Sequence, residues 1–148
     1  MQRQEKEGGL QHLVSHLEAL AEEAVDWVTA ALYRRHEKQL APFGASGRLH
    51  TRQDLHYHME FLTAAVALSS PPYFQDYVRW VATVLKTRGV PIQTLAESMA
   101  LLRTFLSSRL DPSLFRAVEE ILDAANEVPG VETVDNQLEI DYRDHKIE

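Results

Sequence analysis

Residues 10 to 31 of the sequence are LQHLVSHLEALAEEAVDWVTAA. Apolar residues recur in this stretch in steps of three and four, a spacing that places them on one face of an amphipathic α-helix. We expect the helix to continue to about Gln39, and residues 1 to 9, which are mostly charged and polar, to form a flexible leader. The apolar face contains Leu10, Leu13, Leu17, Leu20, Ala24, Trp27 and Ala31.

Turn-forming residues, including Pro42 and Gly44, interrupt this pattern. Thr51, followed three residues later by Asp54, resembles a capping box with Asp in place of Glu or Gln. We therefore expect a second helix to begin at Thr51 and to end near Ser69. Its apolar positions are Leu55, Met59, Leu62 and Val66.

Proline and glycine predict the bounds of three further helices. Ser70 precedes two prolines and predicts a helix start, and Gly89 predicts the end of that third helix. A fourth helix is predicted after Pro91, and a shorter fifth one after Asp111. The sequence thus predicts an all-α fold, an antiparallel bundle of four main helices and a short fifth over residues 10 to 127. A globin-like packing without haem is the alternative.

The hydrophobic period changes in the acidic C-terminal extension, residues 128 to 148. Leu138, Ile140 and Tyr142 alternate with acidic residues, as in a half-buried strand. A hairpin around Asp135 and Asn136 and a disordered acidic tail are equally compatible with this pattern.

Composition excludes several classes of function. The net charge is −7, and no basic stripe is present, so we expect no binding to nucleic acid. The chain has no cysteine, which excludes disulfides, thiol nucleophiles and thiolate metal sites and favours a reducing cytoplasm. No signal peptide or membrane-spanning stretch is apparent, so we expect a soluble cytoplasmic protein.

One pair of histidines and one histidine–glutamate pair have the spacing of helical metal ligands. His12 and His16 are one turn apart, as are His56 and Glu60, which match the His-x-x-x-Glu of hemerythrin-like di-iron bundles. No histidine lies between His58 and His145, so two helices of such a bundle would lack an imidazole, and a globin-type haem ligand is missing as well. We predict no metal site and no cofactor.

His58 falls on the apolar side of its helix, beside Tyr57. A buried imidazole needs hydrogen-bond partners, so His58 is either a structural residue bonded to a neighbouring helix or a polar anchor in a ligand pocket. Tyr77 and Trp80, part of an aromatic stripe with Tyr73, could line such a pocket or belong to the core. The candidate ligand-binding residues are therefore His58, Tyr57, Tyr77 and Trp80. We find no nucleophile beside a base and no phosphate loop, and predict that the protein is not an enzyme.

Four stretches between Leu32 and Leu110 carry a resemblance to a known family. They are residues 33 to 47, 54 to 62 (DLHYHMEFL), 73 to 80 (YFQDYVRW) and 87 to 91 (TRGVP). The sequence of these stretches resembles that of the helical N-terminal domains that precede vitamin-B12-binding or other signalling modules in bacterial regulators. The resemblance implies a sensory or interaction domain. The chain departs from it in having no Asp-x-His-x-x-Gly motif, so cobalamin binding is not implied. Residues 128 to 140 resemble the closing helix and strand of a BON module.

These observations favour a non-enzymatic sensory or regulatory domain that binds a protein partner or a small ligand. A metal-binding bundle that uses the histidine pairs and a purely structural oligomerisation unit are the alternatives. We also predict a homodimer, because the long first helix should overhang shorter neighbours and leave Leu10, Leu13, Val14 and Leu17 in water. The alternative is that the C-terminal extension folds back over these residues.

Overall fold

The computed structural model describes the backbone of residues 2 to 132 and the side chains of residues 8 to 132. Over this range the chain is all-α, as predicted, and no strand occurs in it. None of the helices described is both long and apolar enough to cross a membrane. The elements are α1 (Gln2–Arg35), α2 (Glu37–Leu40), a 3-10 turn (Ala41–Phe43), α3 (Gly44–Leu68), α4 (Pro71–Thr87), α5 (Ile92–Arg109) and α6 (Pro112–Ala125).

The first helix differs from its predicted bounds at both ends. It begins at Gln2, not near Leu10, and it ends at Arg35, not near Gln39. His36 interrupts it with non-helical dihedral angles (φ −125°, ψ 35°), after which the short α2 begins. The imidazole Nε2 of His36 bonds to the carboxylate of Glu97, a buried residue of α5. This tertiary contact accompanies a break that helical periodicity alone does not predict.

The start of the second long helix was also predicted wrongly. Helix α3 begins at Gly44, and Thr51 lies inside it, where its hydroxyl donates to the carbonyl oxygen of Gly47 (3.1 Å). A capping box is therefore absent at Thr51. Gly44 has a positive φ of 64°, a conformation that glycine adopts easily, so the chain turns at this residue and re-enters a helix at once.

The predicted start of α4 is confirmed. Ser70 has an extended conformation, and its Oγ accepts a hydrogen bond from the backbone N–H of Tyr73 (3.3 Å). Pro71 and Pro72 occupy the first turn, where a missing N–H costs nothing. Ser69, which ends α3, is in the left-handed conformation with φ 49°.

We expect Ser70→Ala to lower the free energy of unfolding by about 1 kcal/mol, because the first turn of α4 loses a side-chain cap. Urea unfolding followed by circular dichroism measures this difference. Ser107→Ala is the matched control, since the exposed hydroxyl of Ser107 bonds only to its own helix (Thr104 carbonyl, 2.9 Å). Equal effects of the two substitutions would contradict the capping role.

One core joins the helices. Helix α1 packs mainly on α3 and α5, and α4 packs mainly on α6. Polar contacts fix the alignment of α1 with α3: Arg52 lies 2.5 Å from Asp26, and His56 lies 3.3 Å from Glu22. Between α1 and α5, the ring centroids of Trp27 and Phe105 are 5.6 Å apart. The largest fully buried side chains are Phe74, Phe105, Leu13, Leu17, Leu32, Leu55, Met59, Leu62, Leu95, Leu101, Leu102 and Leu106.

The predicted exposed stripe on α1 is not exposed. Leu13 and Leu17 are 1% and 0% exposed within the single chain, and Leu10 and Val14 are partly buried against the same core. The prediction was wrong because α3 runs antiparallel to α1 in a register that places His56 beside Glu22. The twelve residues of α3 after His56, which end at Leu68, therefore lie alongside the twelve residues of α1 before Glu22 and cover this part of the apolar face.

The C-terminal extension is described only as far as Glu132. Val128 and Val131 are buried in the core. The predicted hairpin and the alternative acidic tail fall almost entirely on residues 133 to 148, outside the described part. The division of the chain into leader, helical domain and extension stays a prediction.

Candidate functional site

A cavity of about 400 Å³ lies beside the break between α1 and α2, and it is bordered also by α3, the α4–α5 connection and the start of α5. Its volume is in the range of pockets that bind small molecules. The apolar part of its wall consists of Leu40, Phe43, Leu55, Leu85, Val90 and Leu95, and the polar part of Tyr33, His50, Thr51, Asp54, His58, Arg88, Thr94 and Ser98.

His58 is the most deeply buried ionisable group of this wall. It is 3% exposed, and its Nδ1 lies 2.6 Å from the hydroxyl oxygen of Tyr77 in α4. Burial lowers the pKa of His58 to about 3, so the ring is neutral at pH 7. Burial, together with the nearby carboxylates of Asp54 and Glu60, raises the pKa of Tyr77, which keeps its proton.

The His58–Tyr77 contact assigns the proton on the imidazole. An imidazole nitrogen is more basic than a phenol oxygen, so Tyr77 donates its O–H to Nδ1 of His58. A neutral imidazole carries one proton, which is then on Nε2. His58 therefore offers one N–H donor in addition to its bond with Tyr77.

The structure separates the four residues predicted to bind a ligand. His58 borders the cavity. Tyr77 does not border it but forms a hydrogen bond with the His58 ring. Tyr57 and Trp80 are 43% and 61% exposed, and they do not line the cavity. The aromatic stripe instead packs around Phe61, whose ring stacks on that of Tyr77 with centroids 4.1 Å apart.

Sequence reasoning missed an ion pair in the same wall, which involves Asp54, one helical turn before His58 in α3. Asp54 Oδ2 lies 3.5 Å from an Arg88 guanidinium nitrogen. Burial raises the pKa of Asp54, and Arg88 acts in the opposite direction. Asp54 was singled out from the sequence, but only as part of a supposed helix cap. Nothing local indicated that the two meet, because they are 34 positions apart.

Tyr33 is a second residue that the sequence did not single out. Its hydroxyl oxygen is buried, and within the described residues it has no hydrogen-bond partner. The guanidinium carbon of Arg48 lies 4.7 Å from the centroid of its ring, a cation–π contact that fixes the ring. Tyr33 thus borders the cavity, and its hydroxyl is buried and unsatisfied among the described residues.

Gly47 permits a close approach of Phe43 in the cavity wall. A Cβ atom added at this position would collide with the Cβ of Phe43, which the backbone fixes in place. Only glycine is compatible with this turn as it stands. Phe43 and Gly47 both border the cavity, so their contact shapes its wall.

The histidine pairs do not form a metal site in the described part of the chain, where no group of three potential ligands is close enough to hold an ion. The rings of His12 and His16 have centroids 6.2 Å apart. His56 pairs with Glu22 across the α1–α3 contact.

Comparison with models of known protein families and with curated protein sequences finds no match to this chain. The resemblance to sensory domains of bacterial regulators therefore stays a prediction.

Proposed function

We propose that the protein is a non-enzymatic sensory or regulatory domain that binds a small molecule in the cavity beside His58. The observation that carries this proposal is the composition of the cavity wall. Most of its accessible surface is apolar, although eight of the lining residues are polar, and Nε2 of His58 has hydrogen-bonding capacity to spare. This combination is typical of ligand pockets, in which apolar surface gives affinity and a few polar groups give orientation.

The position of the cavity supports a regulatory role. We propose that the long helices form an antiparallel bundle, because the contacts of α1 with α3 and with α5 run in opposite chain directions. A ligand in the cavity would touch α1, α3, α5 and the α4–α5 connection together. Its binding would favour one packing of these elements, which a protein partner could recognise in the cytoplasm.

The alternatives are supported less well. A metal-binding bundle would need further ligands near the histidine pairs, and the described residues bring none together. An oligomerisation unit would need an apolar surface, and the stripe proposed for that purpose is buried within the chain. A dimer, if it forms, would have to use another face.

We expect a binding metabolite to raise the melting temperature. A ligand at 100 times its Kd adds about 2.7 kcal/mol to the free energy of unfolding, which is about 5 to 10 °C for a domain of this size. A thermal-shift screen of metabolites on the full chain measures this effect.

Two variants decide whether the ligand that is found occupies the cavity. Ser98→Leu places a larger side chain in the cavity wall and should abolish the shift. Ser108→Leu makes the same change on an exposed position of the same helix and should preserve it. A screen without any shift would favour the oligomerisation unit, and a shift that persists in Ser98→Leu would place the ligand elsewhere.

A further inference from the structure

We propose that residues 37 to 43 form a lid over the cavity, which opens by rotation at His36 and Gly44 while the other helices stay packed. The lid consists of α2 and the 3-10 turn. It controls how a molecule enters and leaves the cavity. The inference goes beyond the proposed function, and its test needs no ligand.

A single residue at each end of the lid allows it to rotate. The N–H of His36 completes α1 by donating to the carbonyl oxygen of Leu32, and the carbonyl oxygen of His36 accepts from the N–H of Leu40 in α2. The change of direction between the two helices is therefore confined to the φ and ψ angles of His36. At the other end, Gly44 has φ 64° and ψ −160°, a combination that is almost restricted to glycine. Rotation at these two residues moves the lid as a unit.

Few contacts hold the lid in place. Within residues 37 to 43 only Leu40 is buried, and it borders the cavity together with Phe43. The lid packs mainly on α1 and α3, the elements that flank it in the chain. A segment with few buried apolar contacts opens at a lower free energy than the helices of the core. The lid therefore uncovers the cavity before the rest of the domain unfolds.

The hydrogen bond between His36 and Glu97 favours the closed position. Glu97 is 8% exposed and lies in α5 beside Ser98, which borders the cavity. A buried carboxylate needs hydrogen-bond donors. The Nε2–H of His36 donates to it, and Nε of Arg35 lies 3.7 Å from the same carboxylate oxygen. The bond holds the His36 ring against α5 and so favours the bend that places Leu40 over the cavity.

Cysteine labelling measures the opening, because the unmodified chain contains no cysteine. Leu40→Cys reports on the lid, and Leu55→Cys reports on the cavity wall formed by α3. Leu62→Cys is the matched control, since Leu62 is also buried in α3 but does not border the cavity. Each full-length variant reacts with the thiol reagent DTNB without denaturant. Its free energy of unfolding in urea gives the labelling rate that complete unfolding allows.

We expect Leu40→Cys and Leu55→Cys to react about tenfold or more faster than complete unfolding allows, and Leu62→Cys to react at the rate of complete unfolding. Adding His36→Ala should speed labelling at positions 40 and 55 about three- to tenfold, the loss of one hydrogen bond. His56→Ala removes a histidine–carboxylate pair between α1 and α3 and should leave both rates unchanged after correction for stability.

The outcomes separate the lid from the proposed function. Labelling of Leu40→Cys no faster than complete unfolding allows would overturn the lid. Fast labelling of Leu40→Cys with slow labelling of Leu55→Cys would also overturn it, because the segment would then move without uncovering the cavity. Unchanged rates in His36→Ala would overturn the role of the bond to Glu97. In each case the metabolite screen still decides the proposed function.

A cysteine variant that fails to fold is recognised by circular dichroism, and amide hydrogen exchange in the unmodified chain then decides. The N–H of Leu40, which bonds to the His36 carbonyl oxygen at 2.9 Å, should exchange about tenfold or more faster than the N–H of Leu62. Equal protection of the two amides would show that residues 37 to 43 open only when the whole domain unfolds.

Discussion

Leu17→Ala is expected to lower the free energy of unfolding by about 2 to 5 kcal/mol. Leu17 is completely buried in the core. Its truncation removes buried methyl groups and leaves a cavity that the neighbouring helices can fill only in part. Urea unfolding monitored by circular dichroism measures the loss.

Leu49→Ala is the matched control, because Leu49 also lies in a long helix and is 69% exposed. We expect a change within about 0.5 kcal/mol for this surface substitution. If the leucine stripe of α1 were instead a dimer interface, the stability of the unmodified protein would rise with protein concentration. A Leu17→Ala variant that loses no more stability than Leu49→Ala would contradict the burial described above.

Acidification is expected to destabilise the protein through His58. Its pKa is 6.5 in the unfolded chain and about 3 in the folded one. Between these values the unfolded state binds a proton that the folded state does not bind. The contribution of neutral His58 to stability is therefore complete above pH 6.5 and is lost as the pH falls toward 3. Between pH 7 and pH 4 the loss is about 3 kcal/mol.

His58→Gln separates this effect from the titration of carboxylates. Glutamine keeps a polar group near Tyr77 and does not titrate. The stability of the unmodified protein relative to this variant should decline as the pH falls, as measured by chemical unfolding at pH 7, 5 and 4. A constant difference for His58→Gln would show that His58 takes up its proton without opening the core.

Capping residues and prolines in the sequence predicted the helix starts that depend only on neighbouring residues. Ser70 and the two prolines after it begin α4, and Pro112 begins α6. The break at His36 escaped prediction because its partner, Glu97, is 61 positions away. Gly44 was interpreted as part of a break, and the chain does turn there, but α3 begins at this residue and not at Thr51. Glycine allows a turn without requiring the helix to stop, so composition alone does not place the boundary.

The candidate site was predicted only in part, for a related reason. His58 was recognisable because it is a polar residue on an apolar face. Tyr77 was recognisable as part of an aromatic stripe. No sequence pattern distinguishes Tyr33 or the Asp54–Arg88 pair, because their roles depend on how α1, α3 and the end of α4 meet. Trp80 and Tyr57 fall on the same helices but face outward, which the aromatic pattern does not reveal.

The contact between Gly47 and Phe43 has a consequence for the history of this sequence. A mutation at position 47 to any other residue would have to displace the Phe43 backbone and with it the cavity wall. Such a change could spread in a lineage only after the turn had been rebuilt or the cavity lost. Among descendants of a common ancestor, glycine at this position would mark the lineages that have kept the cavity.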